Sequence, residues 1–105
     1  MMILVLGSAI ARDGRGPEAL ALSLEHVIRS RLEPGCISHA VHQDAENSNR
    51  LVFVEQWASR QALWDHFRIP VSRDFVKSLA ALTVEPPNLA IYEATAIAPP
   101  GGNAG

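Results

Sequence analysis

Apolar positions along the chain fall into seven stretches with different periods, separated by polar runs or by Pro and Gly. Met2 to Ala11 is apolar without clean alternation, as in a strand covered on both faces. Asp13, Gly14 and Gly16 make a turn, and Pro17 suits the first position of a helix, where its missing N–H has no intrahelical partner to lose. From Glu18 to Leu32 a stripe of Leu20, Leu24, Val27, Ile28 and Leu32 predicts a helix buried along that side, with Glu25, Arg29 and Arg31 largely off it. Pro34-Gly35 ends this helix. Cys36 to Gln43 alternates loosely, Asp44 to Asn49 is a polar hairpin connection, and Leu51 to Trp57 reads as the next strand.

Ser59 then stands where a helix N-cap belongs, because its hydroxyl can accept from an unsatisfied first-turn N–H. Leu63, His66 and Phe67 recur at helical spacing, so a histidine shares the buried face with large apolar groups. Pro70 divides this helical region into Ser59–Phe67 and Val71–Leu82, the second piece burying Val71, Phe75, Leu79 and Leu82. Pro86-Pro87 stops it, and Leu89 to Ile97, with Tyr92 and Glu93, reads as a last strand. One domain is expected over residues 1–97, followed by a mobile Pro- and Gly-rich tail over 98–105.

The order β-α-β-β-α-β predicts an α+β, ferredoxin-like protomer, an antiparallel four-stranded sheet with its helices on one face. Phe53 and Trp57 share one side of their strand and Val52 and Val54 the other, so both sheet faces are apolar. A face with no helix to cover it calls for a second copy, giving a homodimer closed sheet against sheet as an α+β barrel.

Composition narrows the function. A chain of 105 residues with 48% hydrophobic and 19% charged residues is a folded domain rather than a disordered one. With a formal net charge of −2 and its nine Lys and Arg scattered, it has no footprint for nucleic acid. The apolar start MMILVLGSAIA lacks a basic n-region and is far shorter than the ~20 residues that span a bilayer. No membrane association is expected, and the single Cys36, which excludes an internal disulfide, fits the cytoplasm.

The candidate chemistry lies between Arg50 and Ala81. A strand delivering Glu55 and Trp57, followed at once by a helix carrying an inward His66, can build a small pocket. His66 can accept a phenolic proton as a general base, or be a hydrogen-bonded core residue. Trp57 and Phe53 can hold a flat ring, and Tyr92 can hydrogen-bond a substrate oxygen; all three also suit plain packing. Glu55 can orient His66 or pair with Arg73, the latter being the favoured reading. His39 and His42, three apart on a strand, point to opposite faces and have no acidic cluster beside them, so no metal is expected. Cys36 has no CxxC partner, and with GxGxxG and Walker patterns absent no other cofactor is expected either.

The segment PGCISHAVHQDAENSNRLVFVEQWASRQALWDHF, from Pro34 to Phe67, resembles the antibiotic biosynthesis monooxygenase domain family. That family shows a Pro-Gly-Cys turn, a polar hairpin, a strand end with Glu and Trp, and a helix carrying His. The likeness runs to about Tyr92 and the IYEA at Ile91 to Ala94. It implies a dimeric α+β barrel and, among characterised members, cofactor-free oxygenases of polyphenolic or quinol substrates and haem-degrading enzymes. It also implies that Ser8 lies in the first-strand region where relatives place a polar pocket residue. Val71 stands where members often carry a second histidine. The first strand has no Asn, His66 holds the place of the haem branch's Trp, and Val71–Leu82 has no His, which sets the chain apart from that branch.

The expected function is therefore cofactor-independent monooxygenation of a small aromatic phenol or quinol with molecular oxygen. The alternatives are a non-catalytic dimer binding a hydrophobic small molecule or serving a stress response, and an oxygen-independent isomerase or decarboxylase acting on a polyketide-like substrate.

Overall fold

Strand β3 (Asn47–Trp57) organises the molecule, because its odd-numbered residues from Leu51 to Trp57 all turn to one face and are all buried. The computed structural model describes residues 1–101. Around β3 the chain forms β1 (Met2–Ile10), α1 (Gly16–Ser30), β2 (Cys36–Asp44), α2 (Arg60–Arg68), α3 (Pro70–Ala80) and β4 (Asn88–Ala94). The sheet has the order β2-β3-β1-β4, antiparallel at every pairing. This is the ferredoxin-like arrangement predicted above, with the second helical region in two pieces.

The helices cover the face carrying Ile3, Val5, Leu51, Phe53 and Trp57. Core residues separate into two clusters. One joins Ala9, Val27, Leu51, Phe53 and Leu79, the other Ile3, Val5, Trp57 and Leu63. Fully burying a Val, Leu, Ile or Phe side chain contributes about 1.5–3 kcal/mol by removing it from water. On β3 the two clusters are separated by one polar residue, Glu55, between Phe53 and Trp57.

Several expectations shift. The hairpin connection is tighter than the polar run suggests, since Asp44 pairs with Asn47 and only Ala45 and Glu46 form the turn. The last strand stops at Ala94, so residues 95–97 fall outside it, and the tail reaches beyond the described residues at 102–105. In α1 the predicted Leu/Ile stripe is not the buried one. Leu24, Ile28 and Leu32 are exposed, while Gly16, Ala19, Ser23, His26, Val27 and Ser30 are buried. Small side chains let the helix approach the sheet closely, and the Ser30 hydroxyl is satisfied by donating to the His26 carbonyl at 2.7 Å. Val71 is likewise exposed, the inward place in that turn of α3 going to Ser72.

Ser59 caps α2 as predicted, with extended backbone and its Oγ accepting from the Ala62 N–H at 3.1 Å. Pro70 opens α3 at its first turn, where proline fits. Gly35 has φ +81°, and a Cβ there would stand 2.5 Å from the Ala62 Cβ. The turn after α1 can therefore lie directly on α2 only with glycine at this position.

Candidate active site

Glu55 is 6% exposed, and the β2–β3 register puts His39 directly opposite it. His39 Nε2 lies 3.2 Å from Glu55 Oε1, close but not aligned as a hydrogen bond, and neither ring nitrogen of this buried histidine has a hydrogen-bond partner. Glu55 Oε1 also accepts the Trp57 Nε1–H at 3.0 Å. Burial alone would raise this carboxyl. The contact with His39, the Trp57 N–H and the nearby His66 outweigh burial and hold it below the ordinary range.

The helical layer supplies two more imidazoles. His66 on α2 is 4% exposed, and its Nδ1 is 2.8 Å from Glu33 Oε1. A carboxylate only accepts, so Nδ1 carries the proton and Nε2 keeps its lone pair. Burial lowers the His66 pKa, with Glu33 pulling the other way through its hydrogen bond and charge, and the net shift is downward. His26 on α1 has the opposite tautomer. Its Nδ1 lies 3.1 Å from Arg29 Nη2, and a guanidinium only donates, so the neutral ring carries its proton on Nε2. Burial, then the neighbouring His39, His66 and Arg29, pull its pKa down to about 3. Arg29 also donates to Glu33 Oε2 at 3.1 Å and to Ser72 Oγ at 2.8 Å, which ties α1 to α3.

His26, His39, Glu55, His66 and Ser72 line a cavity of about 440 Å³, within the range of small-molecule sites. Its apolar wall includes Phe53, Phe67, Phe75, Val76, Leu79 and Leu89, and its polar wall His26, His39, Glu55, His66 and Ser72. An aromatic molecule would meet ring faces on one side and a proton acceptor (His66 Nε2) on another.

Of the residues singled out from the chain, His66, Phe53, Glu55, Arg73 and Ser8 border this cavity. Trp57 and Tyr92 do not. Trp57 is completely buried, and its indole braces Glu55. Tyr92 is opposite Leu4 on the sheet face away from the helices. Ser8 pairs with Val52 and Asn88 and by the pleat belongs to that same outer face, although it also borders the cavity. The favoured Glu55–Arg73 pairing gives way to Glu55–His39, because Glu55 faces inward while Arg73 is exposed on α3. Glu33 is the carboxylate that orients His66. His39 has the acidic neighbour denied to it above, since a cross-strand partner is invisible in a linear run. Neither His26 nor Glu33 stands out in the chain. The available signals were the small and polar spacing Ala19, Ser23, His26, Ser30 and the acid just before Pro34-Gly35.

Cys36 is free and partly buried. Burial, with Glu33 and Glu55, pushes its thiol pKa up despite Arg31, the reverse of what an activated nucleophile needs.

The β2-β3-β1-β4 sheet with its helices on one face over a histidine-lined cavity defines a ferredoxin-like α+β protein. Residues 2–78 match the family model described as antibiotic biosynthesis monooxygenase, and the chain belongs to that family. It is 35% identical over 91 residues to the uncharacterized protein sll1783 of Synechocystis sp., an alignment covering 87% of this chain and 62% of that protein. Among solved structures it is similar to Rv0793 from Mycobacterium tuberculosis, with TM-score 0.84, 22% identity, and 90% and 96% of the two chains covered. A Deinococcus radiodurans protein superimposes with TM-score 0.87 at 21% identity, covering 95% and 99%. At such identities the structural likeness establishes the fold. No helix among the described residues is long and apolar enough to cross a membrane.

Proposed function

We propose that this protein is a cofactor-independent monooxygenase for a small aromatic phenol or quinol. The observation that carries the reading is His66, in the wall of an apolar cavity of about 440 Å³, with its Nδ1 2.8 Å from the Glu33 carboxylate. The free Nε2 of His66 takes the substrate's hydroxyl proton, and Glu33 steadies the imidazolium that forms. The ring packs against Phe53 and Phe75. The electron-rich anion then reduces O₂ directly; one oxygen atom enters the ring at a carbon that loses its hydrogen and the other leaves as water, so that a phenol and O₂ become a quinone and H₂O. A lowered His66 pKa serves this chemistry by keeping the base unprotonated at neutral pH. One solved structure similar to this chain is described as an antibiotic biosynthesis monooxygenase, which agrees with the proposal without naming a substrate.

The test is oxygen uptake with a panel of quinols and anthrones, comparing wild type with His66→Gln and His66→Ala. Turnover should fall by roughly 10²-fold or more in both, the usual scale for a positioned base. Full activity in a stably folded His66→Gln protein ends the assignment, because Gln keeps hydrogen-bonding capacity but cannot act as a base.

We propose also that the protein works as a homodimer. Leu4, Leu6, Val52, Val54, Ala90 and Tyr92 share the outer sheet face by register, with Leu6 41% and Tyr92 51% exposed. An apolar sheet face of this extent is a docking surface, and a second copy supplies a matching one.

A further inference from the structure

Three imidazoles carried by three different elements converge in the cavity wall. His26, His39 and His66 are all buried, and one ligand atom from each lies within 4.8 Å of the others. Their ring centroids are 5.3, 5.3 and 5.6 Å apart. Three imidazoles on a tetrahedral ion, with metal–nitrogen bonds of about 2.0–2.1 Å, hold their nitrogens roughly 3.3 Å apart. Closing that gap needs side-chain rotation, because the rings are already grouped.

The donor chemistry is specific. His39 is 1% exposed, yet both of its ring nitrogens lack a hydrogen bond, an arrangement that leaves a buried polar ring unsatisfied. Glu55 Oε1, 3.2 Å from His39 Nε2, offers a fourth donor on the same wall. His66 donates its Nδ1–H to Glu33, the carboxylate–histidine relay that orients a metal-binding imidazole and raises its basicity. Three imidazoles with one carboxylate suit zinc, copper, nickel or iron and do not suit calcium or magnesium.

One neighbour opposes a cation. Arg29 Nη2 sits 3.1 Å from His26 Nδ1, on that nitrogen's lone pair, and brings a fixed positive charge. The same guanidinium is also held by Glu33 and Ser72, at 3.1 and 2.8 Å, the Ser72 bond being made by that same Nη2, so His26 must turn away from it to take up an ion through Nδ1. It acts as an internal competitor.

We propose that His26, His39 and His66, with Glu55 as fourth donor, form a binding site for one divalent transition-metal ion, with affinity limited by Arg29. The site goes beyond the oxygenase reading and does not rest on it. An ion here takes the His66 lone pair that the base reading uses, so metal-loaded and metal-free protein differ in what His66 can do.

The experiment titrates the chelator-stripped full chain with Co²⁺, read by its visible absorption, and with Zn²⁺ by calorimetry. One ion per chain is expected, with Zn²⁺ displacing Co²⁺. His26→Ala and His39→Gln should each weaken binding at least about tenfold, the scale on which lost ligand-sphere groups act. Melting curves on the same samples confirm that the variants are folded. His42→Ala, at an exposed histidine on the same strand, should bind as wild type does, and Arg29→Met should bind more tightly. Absence of saturable binding in both wild type and Arg29→Met overturns the site. So does undiminished binding in a folded His26→Ala/His39→Gln double variant. Oxygen uptake by metal-free protein without saturable binding sinks this proposal alone, whereas saturable binding in a protein that consumes no oxygen supports it and counts only against the oxygenase reading.

Discussion

At the residue scale, two histidines are kept neutral by the same burial but with opposite protons. Glu33 fixes the proton of His66 on Nδ1, and Arg29 fixes that of His26 on Nε2. Glu33→Gln should therefore lower oxygen-uptake turnover by about tenfold or more at unchanged fold, since Gln no longer stabilises an imidazolium; steady-state rates across pH would show it. His26 carries a stability cost in acid. Its folded pKa is about 3, against 6.5 in a free chain. Between those values the unfolded chain binds the extra proton, so this contribution to stability is fully present above pH 6.5 and is lost as pH falls toward 3. In chelator-treated protein, urea midpoints should fall across that window, and less steeply in His26→Phe. Phenylalanine is the suitable replacement because the imidazole stacks on Phe75 with centroids 3.9 Å apart.

At the element scale, the site depends on how closely the turn after α1 approaches α2. Gly35, at φ +81° and against Ala62, allows the turn that presents Glu33 to His66. Gly35→Ala combines left-handed backbone strain with a steric clash. It should destabilise by roughly 1–3 kcal/mol and lower turnover in the molecules that remain folded, checked by denaturant melts and oxygen uptake on the same preparation. Ser59→Ala loses only the cap of α2 and should cost about 1 kcal/mol, with turnover per folded molecule retained. The contrast between the two separates a helix that is merely stabilised from one that is positioned.

At the scale of the whole molecule, the sheet presents one face to its helices and leaves the other, apolar face uncovered. Sedimentation equilibrium at micromolar concentration should give twice the chain mass. Leu6→Glu and Val54→Lys, on the exposed face by register, should drive the mass toward that of one chain. A monomeric wild type would remove the partner and leave an uncovered apolar face. The cavity is lined mainly by the helix-covered face of the sheet and by the helices, so the outer-face variants should remain folded, as far-ultraviolet dichroism would report.

What could be read from the chain by itself was whatever neighbouring residues decide. Alternation and helical spacing placed every strand and helix within a few residues, Ser59 announced its own cap, and Pro70 announced the break between α2 and α3. His66 was legible because it shares a helical face with Leu63. The other half of the site was not. His26 is off the most hydrophobic stripe of α1, and only close packing shows that the small-residue side faces the sheet. Glu33 meets His66 across 33 positions, and His39 meets Glu55 through strand register. Periodicity can say that a side chain turns inward, but it carries no information about which inward groups share a cavity. Tertiary packing decides that, through contacts between residues far apart in the chain.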